Sequence, residues 1–428
     1  MTATQDLNPN PTIFIIGAGL TGLLAAQALK KHGFQVIIYD SEPHLNSRPR
    51  DWTILIHWAL PLFSSLIPPS ILANLDRAIC NPHLDFDEWA ETLPMYNGET
   101  GDLIFKSAVP GSRRITRRGL REVLSEGLEI QWGRKVTRLD TESNPDKVKV
   151  TLEAVREEGV EEEEEVWADY VLGTDGASSK VREILFSNQE GGEEKAKVTR
   201  SGFMIGTCIV DYQDDGEMVR KALEKHPVTS LVMSRGAVGG FGVQYTTGTP
   251  PSSLQHTIFW TKVWKGSLST TPDIDIPRKG PAAVRYLKQS WQGLHPSFQC
   301  LIDSTPAEDD TDDTKAFIDE MGTWIAQPFD NRGGRVTLAG DAGHPMLILR
   351  GQGFQHAVTD VHHYVQALLA IRDSGGADRK EAFATYDKDM VARGSKAAVQ
   401  ALEEAELAMD ATSVEKMLMA RKGHGRSV

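Results

Sequence analysis

The chain opens with short apolar runs that alternate with amphipathic sequence. Residues 13–16 are apolar and rich in β-branched side chains, which is typical of a buried parallel strand. Residues 23–31 lack proline and carry one apolar face, so they predict a helix, and Gly33 is placed to end it. Residues 36–39 form a second apolar run. The succession predicts two parallel strands joined by a helix.

The pattern changes twice further along the chain. Residues 201–325 alternate apolar and polar positions and carry many aromatic side chains, which predicts an antiparallel sheet. An apolar strand at 335–339 and helical segments from about residue 354 then restore the first pattern. We therefore predict an α/β fold with a Rossmann-like nucleotide-binding layer, an inserted antiparallel-sheet substrate domain and C-terminal helices. The predicted boundaries are a flexible tail at 1–12, the first part of the nucleotide-binding domain at 13–200, the sheet domain at 201–334, and the completion of the nucleotide-binding domain with the C-terminal helices at 335–428.

The composition excludes some classes of binding partner but does not indicate which reaction the protein catalyses. The 428 residues are 40% hydrophobic and 25% charged, which is ordinary for a globular protein. The net charge of −13 disfavours nucleic acid and anionic membranes as partners. No apolar stretch reaches the length of a membrane span, and the N-terminus lacks a secretory apolar segment, so we expect a cytoplasmic protein, monomeric or homodimeric. The three cysteines are far apart and form no CxxC pair, which favours reduced thiols and gives no support to a zinc site.

The first candidate site is the turn Gly17-Ala18-Gly19-Leu20-Thr21-Gly22, which directly follows the first strand. In a GxGxxG turn the first glycine permits the tight turn, the second lets a pyrophosphate approach, and the third lets the helix pack closely. The helix N-terminus, including Leu20 and Thr21, offers N–H groups to the phosphates. Asp40 ends the second strand, where an acid accepts hydrogen bonds from an adenosine ribose and repels a 2′-phosphate. The turn therefore predicts FAD or NAD.

Two further turns follow predicted strands. Asp175-Gly176 is followed by a serine pair and Arg182, which favours a turn whose acid and backbone N–H groups face a phosphate or a sugar. Later, Gly340-Asp341 ends a strand, and Asp341 can accept a hydrogen bond from a polyol. The glycines at 351 and 353 open a helix, let the backbone approach a flat ring, and place a helix N-terminus near negative charge on a reduced ring.

Together the GxGxxG, Asp-Gly and Gly-Asp motifs resemble those of the FAD-dependent aromatic-ring hydroxylases, such as para-hydroxybenzoate and salicylate hydroxylases. The resemblance spans roughly residues 11–370 and is nearest to a fungal-type subgroup. It implies that an arginine after the second strand contacts FAD, with Arg50 the better match and Arg48 the alternative. It also implies an FAD contact for Arg117, in the segment RRGL, and a ring-flanking position for Pro345. The implied cofactor-binding residues are Gly17, Gly19, Leu20, Thr21, Gly22, Asp40, Arg50, Arg117, Asp175, Gly340, Asp341, Pro345, Gly351, Gly353 and Phe354.

The resemblance also implies a reaction. NADPH or NADH reduces FAD without a second Rossmann domain, and reduced FAD takes O2 to a C4a-hydroperoxide. One oxygen atom then enters an electron-rich aromatic ring, phenolic, indolic or polycyclic, and the other leaves as water. A role in secondary metabolism fits this chemistry. The alternatives are a flavin-dependent reductase or oxidase that inserts no oxygen, and an FAD-binding protein without enzymatic activity.

The chain departs from many relatives near the expected substrate. They carry an arginine on the first strand of the inserted sheet, where this chain reads SGFMIGTCIVD. Residues 346–349 are also more apolar than in many relatives. Both departures favour a neutral, bulky aromatic or polycyclic substrate.

No catalytic base is assigned from the sequence. His57, Tyr245 and His344 are the candidates, and a satisfied core histidine is the simpler reading of His57. Aromatic side chains that either line the pocket or belong to the core are Trp52, Phe203, Phe241, Trp260 and Trp324.

Overall fold

The computed structural model describes residues 11–47, 51–84, 92–109, 112–154, 163–212, 216–248, 254–268, 276–307, 315–375 and 378–423. The strands in these ranges, numbered in chain order, are β1 Thr12–Ile16, β2 Gln35–Asp40, β3 Thr53–Ile56, β4 Thr92–Asn97, β5 Leu103–Ala108, β6 Arg113–Thr116, β7 Ile130–Trp132, β8 Arg134–Asp140, β9 Val148–Ala154, β10 Glu163–Ala168, β11 Tyr170–Gly173, β12 Thr199–Val210, β13 Thr229–Ser234, β14 Ala237–Thr247, β15 Gln255–Lys265, β16 Ala316–Thr323 and β17 Val336–Leu338. The α-helices are α1 Leu20–Lys31, α2 Leu60–Leu66, α3 Pro69–Leu72, α4 Arg117–Ser125, α5 Lys180–Phe186, α6 Gly192–Ala196, α7 Glu217–Lys225, α8 Gly280–Ser290, α9 Pro296–Asp303, α10 Gly353–Asp373, α11 Arg379–Leu407 and α12 Leu418–Lys422.

A five-stranded parallel sheet in the order β17-β11-β1-β2-β7 carries the first three motifs. Alternate residues of β1 pack into two different cores, Ile13 and Ile15 on one face and Phe14 and Ile16 on the other. Burial on both faces explains why this strand reads as a continuous apolar run. Because β17 pairs with β11, the layer that begins at the N-terminus is completed after residue 335, as the pattern predicted.

Helix α1 is buried almost all round because it packs between the sheet, α4 and α10. It ends at the cap residue His32, and Gly33 follows with a φ of +82°, the left-handed conformation expected of a glycine that ends a helix. The prediction of two parallel strands joined by a helix is therefore confirmed. The predicted helices near residue 354 correspond to α10 and α11, which pack on each other.

The second layer is a seven-stranded sheet in the order β16-β12-β15-β14-β13-β4-β5, antiparallel except for the parallel pair β13 and β4. Strands β4 and β5 lie before residue 200, within the range that the sequence pattern placed in the nucleotide-binding part. The pattern could not reveal this because pairing between β4 and β13 joins segments more than a hundred residues apart. The chain therefore passes between the two sheets more than once.

The cysteines are free thiols, and Cys80 and Cys208 are buried. Burial raises the pKa of Cys80 to about 12, so this thiol stays protonated at neutral pH. In the part of the chain that the structure describes, no helix combines the length and the apolar character needed to cross a membrane.

Candidate active site

A cavity of about 750 Å³ lies between the parallel sheet and the seven-stranded sheet and takes its lining from both. Gly22, Gly340 and Pro345 do not line it, and Arg50 and Arg48 lie outside the described residues. The other predicted cofactor-binding residues all line it: Gly17, Gly19, Leu20, Thr21, Asp40, Arg117, Asp175, Asp341, Gly351, Gly353 and Phe354. Three motifs that are far apart in the sequence therefore meet at one cavity.

The glycines of the first turn have different surroundings. Gly17 has a φ of +110°, and a Cβ there would lie 2.6 Å from the carbonyl oxygen of Thr174. A Cβ on Gly22 would lie 2.0 Å from the carbonyl oxygen of Gly17. At Gly19 a Cβ would meet only one protein atom, 3.9 Å away, so this residue faces the cavity. Gly19 is also the N-cap of α1 and provides no side-chain cap, which leaves the helix N-terminus available to an anion.

Asp40 is held by the turn that it faces. Its Oδ2 accepts a hydrogen bond from the backbone N–H of Ala18 at 2.5 Å, and its Oδ1 accepts one from the N–H of Glu42 at 2.8 Å. Arg121, which the sequence analysis missed, braces the same loops from behind. Its guanidinium donates to the carbonyl oxygens of Ala18 and Leu45 and pairs with Glu42 at 3.0 Å. Arg121 lies one helical turn after Arg117, and this spacing was its only signal in the sequence.

The Asp-Gly turn is built around the N-terminus of α5. The Asp175 carboxylate accepts hydrogen bonds from the Ser179 hydroxyl at 2.5 Å and from the N–H groups of Lys180 and Val181 at 2.6 and 3.1 Å. Burial raises the pKa of Asp175, and these donors partly oppose the rise. Asp175 thus caps the N-terminus of α5 and also lines the cavity. The capping bonds fix the Asp-Gly turn beside the region where the cofactor is expected.

Arg182 joins the second motif to the third. Its side chain is buried, donates to the carbonyl oxygen of Ala177 in the Asp-Gly turn, and donates to that of Ala342 in the Gly-Asp turn at 2.8 Å. It also lies over the ring of Trp324, 4.8 Å from the centroid. The sequence indicated only that Arg182 begins a helix, because the turns at 177 and 342 that it joins lie more than a hundred residues apart.

The Gly-Asp turn is anchored by Asp360 of α10. Gly340 has a φ of +62°, and its N–H donates to Oδ2 of Asp360 at 2.8 Å. The same oxygen lies 2.6 Å from Nε2 of His344, and Oδ1 of Asp360 lies 2.6 Å from the guanidinium of Arg393. Gly340 does not line the cavity because its role is to turn the chain within this network. Asp360 and Arg393 had no local signal in the sequence.

Asp341, the next residue, points into the cavity and accepts no hydrogen bond from the described residues. Its side chain is exposed to the cavity, and the surrounding protein partly desolvates it. This desolvation raises the pKa of Asp341, and His344 and Arg117 partly oppose the rise. A carboxylate placed in this way is suited to accept hydrogen bonds from the hydroxyl groups of a ligand.

The start of α10 forms a further part of the cavity wall. Gly351 has a φ of +58°, and a Cβ there would meet no protein atom within 4 Å. Gln352 accepts a hydrogen bond from Nε1 of Trp58 at 2.9 Å, and Gln355 donates to the carbonyl oxygen of Leu55 at 2.6 Å. These bonds tie the helix start to β3 and to the segment after it, so the glycine-rich stretch keeps a fixed position in the cavity wall.

None of the three candidate bases lines the cavity. His57 is buried, and its Nε2 lies 3.3 Å from the carbonyl oxygen of Gly351, which agrees with the core interpretation. Tyr245 is 41% exposed on the outside of the sheet, and His344 is fully buried against Asp360. Tyr245 follows a bulge between β14 and β15, which changes the face that its side chain occupies.

The far end of the cavity is the inner face of the seven-stranded sheet. Of the five aromatic candidates only Trp52 lines the cavity, whereas Phe203, Phe241, Trp260 and Trp324 belong to the cores. The sequence missed Phe259, Arg114 and Gln244, which do line it. For Gln244 the sequence signal was the stretch GGFGVQ at 239–244, in which alternation places Gly240 and Gln244 on the face that lines the cavity.

The end of the cavity that the GxGxxG, Asp-Gly and Gly-Asp motifs line, here called the motif end, fits FAD. Three features combine there: a side-chain-free approach at Gly19 and Gly351, an uncapped helix N-terminus, and an Asp341 carboxylate that accepts no hydrogen bond from the described residues. These are the features needed for a pyrophosphate, a flat ring and a polyol chain.

Comparisons with known proteins agree with this geometry. A model described as an FAD binding domain matches residues 114–401, and one described as an NAD(P)-binding Rossmann-like domain matches residues 15–54. The chain is 28% identical to the FAD-dependent monooxygenase phnB of Penicillium herquei, over 97% of this chain and 95% of that protein. It is 24% identical to 6-hydroxynicotinate 3-monooxygenase of Pseudomonas fluorescens, over 91% of this chain and 90% of that enzyme. The structure of Klebsiella pneumoniae HpxO with FAD and uric acid shares the fold, with a TM-score of 0.68 and 17% identity over 95% of this chain and 91% of that one.

The FAD binding domain model covers well over half of the chain, including the Asp-Gly and Gly-Asp turns. The GxGxxG turn falls in the second match. The chain therefore belongs to the FAD binding domain family and is an FAD-dependent monooxygenase of the aromatic-ring hydroxylase type.

Proposed function

We propose that the protein uses NADPH or NADH to insert one oxygen atom from O2 into a hydrophobic aromatic small molecule, phenolic, indolic or polycyclic, in secondary metabolism. The observation that carries the proposal is the continuity of the cavity from the first glycine turn to the inner face of the seven-stranded sheet. A cofactor at one end and a substrate at the other would meet beside residues 351–354. Fungal relatives that are FAD-dependent monooxygenases support the assignment.

The motif end would bind the cofactor mainly through backbone groups. The N-terminus of α1 and Gly19 would receive the pyrophosphate, and Arg117 would add a positive charge. Asp40 would accept from the adenosine ribose and Asp341 from the ribityl chain. The chemistry that FAD supplies when bound is acceptance of a hydride from the nicotinamide and delivery of electrons to O2. The N-terminus of α10 would stabilise negative charge beside the ring.

The end of the cavity at the seven-stranded sheet would hold the substrate and exclude water. The apolar lining comes from the Gly-Asp loop and from the sheet, which pack in one hydrophobic cluster: Met346, Leu347 and Leu349 from the loop, and Ile205 and Leu231 from the sheet. Apolar walls of this kind displace water from the reacting ring and protect a reactive oxygen donor from wasteful decay. They also favour a flat, apolar substrate over a small polar one.

The test begins with anaerobic mixing of the FAD-loaded protein with NADPH or NADH. Loss of the visible absorbance of oxidised flavin, accelerated by particular phenols or indoles, is expected and identifies both the donor and the substrate class. Turnover under isotopically labelled O2 must then place the label in the product. An unlabelled, dehydrogenated or reduced product would instead favour a flavin-dependent oxidase or reductase. Tyr245→Phe is a matched control, because its side chain lies outside the cavity and the rates should not change.

A further inference from the structure

A cation lies at the substrate end of the cavity. Arg114 of β6 lines the cavity, with its guanidinium 4.6 Å from the ring centroid of Phe259 on β15. Its Nε donates to the Thr53 hydroxyl at 2.8 Å. Among the described residues no carboxylate lies within 4 Å of this guanidinium, and none accepts a hydrogen bond from Nη1 or Nη2. The contact with the ring stabilises the charge but satisfies none of the remaining N–H donors.

The guanidinium remains charged in this enclosed position. Burial lowers the pKa of Arg114 to about 10, which still leaves it protonated at neutral pH. An enclosed cation without a nearby counter-charge costs free energy unless a ligand supplies the missing partner. The arrangement is therefore unusual for a residue whose only role is structural.

A second unsatisfied donor lies on the same inner face. Gln244 is 1% exposed, lines the cavity, and its Nε2 has no hydrogen-bond partner among the described residues. Neighbouring threonines differ, because Thr207 and Thr261 bond to each other at 2.9 Å and Thr229 donates to the carbonyl oxygen of Phe241 at 3.0 Å. The sheet thus satisfies its threonines and leaves Gln244 for a ligand.

Gly242 makes room for the Phe259 ring beside the proposed ligand position. A Cβ on Gly242 would lie 2.8 Å from the ring of Phe259 and 2.5 Å from the Thr229 hydroxyl. Gly242 lies between Gly240 and Gln244 on the same face of β14, so the Phe259 ring can rest against the sheet. The ring then supports Arg114 at the edge of the open space.

We propose that Arg114 and Gln244 form a subsite that binds an anionic oxygen of the aromatic substrate, either a carboxylate or an ionised ring hydroxyl. This inference rests on the proposed function and refines its substrate class. It also revises the expectation of a neutral substrate, which was based on the missing arginine in the first strand of the inserted sheet. The positive charge enters the cavity from β6 instead, which lies outside the seven-stranded sheet.

The test measures binding, not turnover. The FAD-loaded protein is titrated in a calorimeter with β-naphthoate and with its amide, which have the same shape but differ in charge. The second arm uses β-naphthol and its methyl ether, with proton release obtained from the dependence of the enthalpy on the buffer. We expect the anion to bind about tenfold or more tightly than its neutral partner in at least one arm, because hydrogen bonds to charged groups are strong. Preference in the first arm identifies a carboxylate, and preference with proton release in the second identifies an ionised hydroxyl.

Variants assign the preference to these residues. Arg114→Met should abolish it, Arg114→Lys should keep part of it, and Gln244→Glu should weaken anions while leaving neutral ligands unchanged. Arg138→Met is the matched control, because Arg138 is an exposed arginine on β8 that does not itself line the cavity. Retained FAD absorbance shows that each variant is folded.

Two results would overturn the inference. One is equal binding of anionic and neutral partners by the wild type in both arms. The other is an unchanged preference in folded Arg114→Met. Because binding requires neither O2 nor a nicotinamide, failure of oxygen insertion with an intact anion preference would remove the proposed function and leave the subsite standing.

Discussion

Asp360 and His344 form a fully buried pair in which Oδ2 of the aspartate lies 2.6 Å from Nε2 of the histidine. The same oxygen accepts the N–H of Gly340, and Arg393 binds the other oxygen. Burial alone would raise the pKa of Asp360, but His344 and Arg393 hold it well below its ordinary value. The Gly-Asp turn that presents Asp341 to the cavity is thus fixed by one ionised carboxylate on α10.

Replacing that carboxylate should loosen the turn. Asp360→Asn removes the charge that compensates Arg393 and one acceptor for Gly340 or His344. Loss of one partner from a buried pair costs about 3 kcal/mol or more. We therefore expect the free energy of unfolding to fall by that amount in urea denaturation, and the FAD Kd to rise.

The control uses the same arginine. Arg393 also binds Asp389 at 3.0 Å, but the Asp389 side chain is 42% exposed. Asp389→Asn should cost no more than about 1 kcal/mol, since water screens an exposed pair. Equal losses in the two variants would contradict the anchoring role of Asp360.

The two glycines of the first turn should fail in different ways. A Cβ on Gly19 enters the cavity, so Gly19→Ala should leave the protein folded while raising the FAD Kd about tenfold or more, because the backbone can no longer approach the phosphates. A Cβ on Gly22 would lie 2.0 Å from a backbone oxygen, so Gly22→Ala should lower the free energy of unfolding by about 1–3 kcal/mol. Thermal unfolding without FAD separates the two effects. A destabilised Gly19→Ala with normal FAD affinity would show that Gly19 is a packing residue.

The sequence predicted the parts of this site that depend on local conformation. Gly17 and Gly33 have positive φ values that favour glycine, so each marks its turn directly. The order of strand, turn and helix then places Asp40 at the end of a parallel strand. Such features depend on a short stretch of sequence and can therefore be predicted from it.

The supports of the site were not predicted because they join distant segments. Arg182 donates hydrogen bonds to the carbonyl groups of residues 177 and 342. Asp360 accepts one from the N–H of Gly340, which lies in the Gly-Asp turn before α10. Arg114 was missed for a different reason. Alternation shows that a strand has two faces, but it does not show which face meets a cavity formed with another sheet.

Arg121 should control the affinity for FAD without touching the cofactor. Its guanidinium fixes the carbonyl oxygen of Ala18 and pairs with Glu42, so it holds the turn in the shape that the phosphates need. We expect Arg121→Met to raise the FAD Kd about tenfold and to leave kcat unchanged at saturating FAD. Arg77→Met is the control, because Arg77 is 60% exposed and pairs with Glu126 at the surface. A fall in kcat at saturating FAD would indicate that Arg121 also shapes the reacting end of the cavity.

Asp387 of α11 should make stability depend on pH in the opposite direction from an ordinary ion pair. Burial raises its pKa to about 6, although Thr337 and Asn331 donate hydrogen bonds that oppose the rise. Because the folded protein holds this proton more tightly than the unfolded chain, the stabilisation is complete below about pH 4 and is lost as the pH rises to about 6. The lost free energy is about 3 kcal/mol. The test is urea denaturation of the wild type and of Asp387→Asn across this pH range. As the pH rises, the free energy of unfolding of the wild type should fall relative to that of Asp387→Asn. A difference that stays constant with pH would mean that the carboxyl titrates alike in both states.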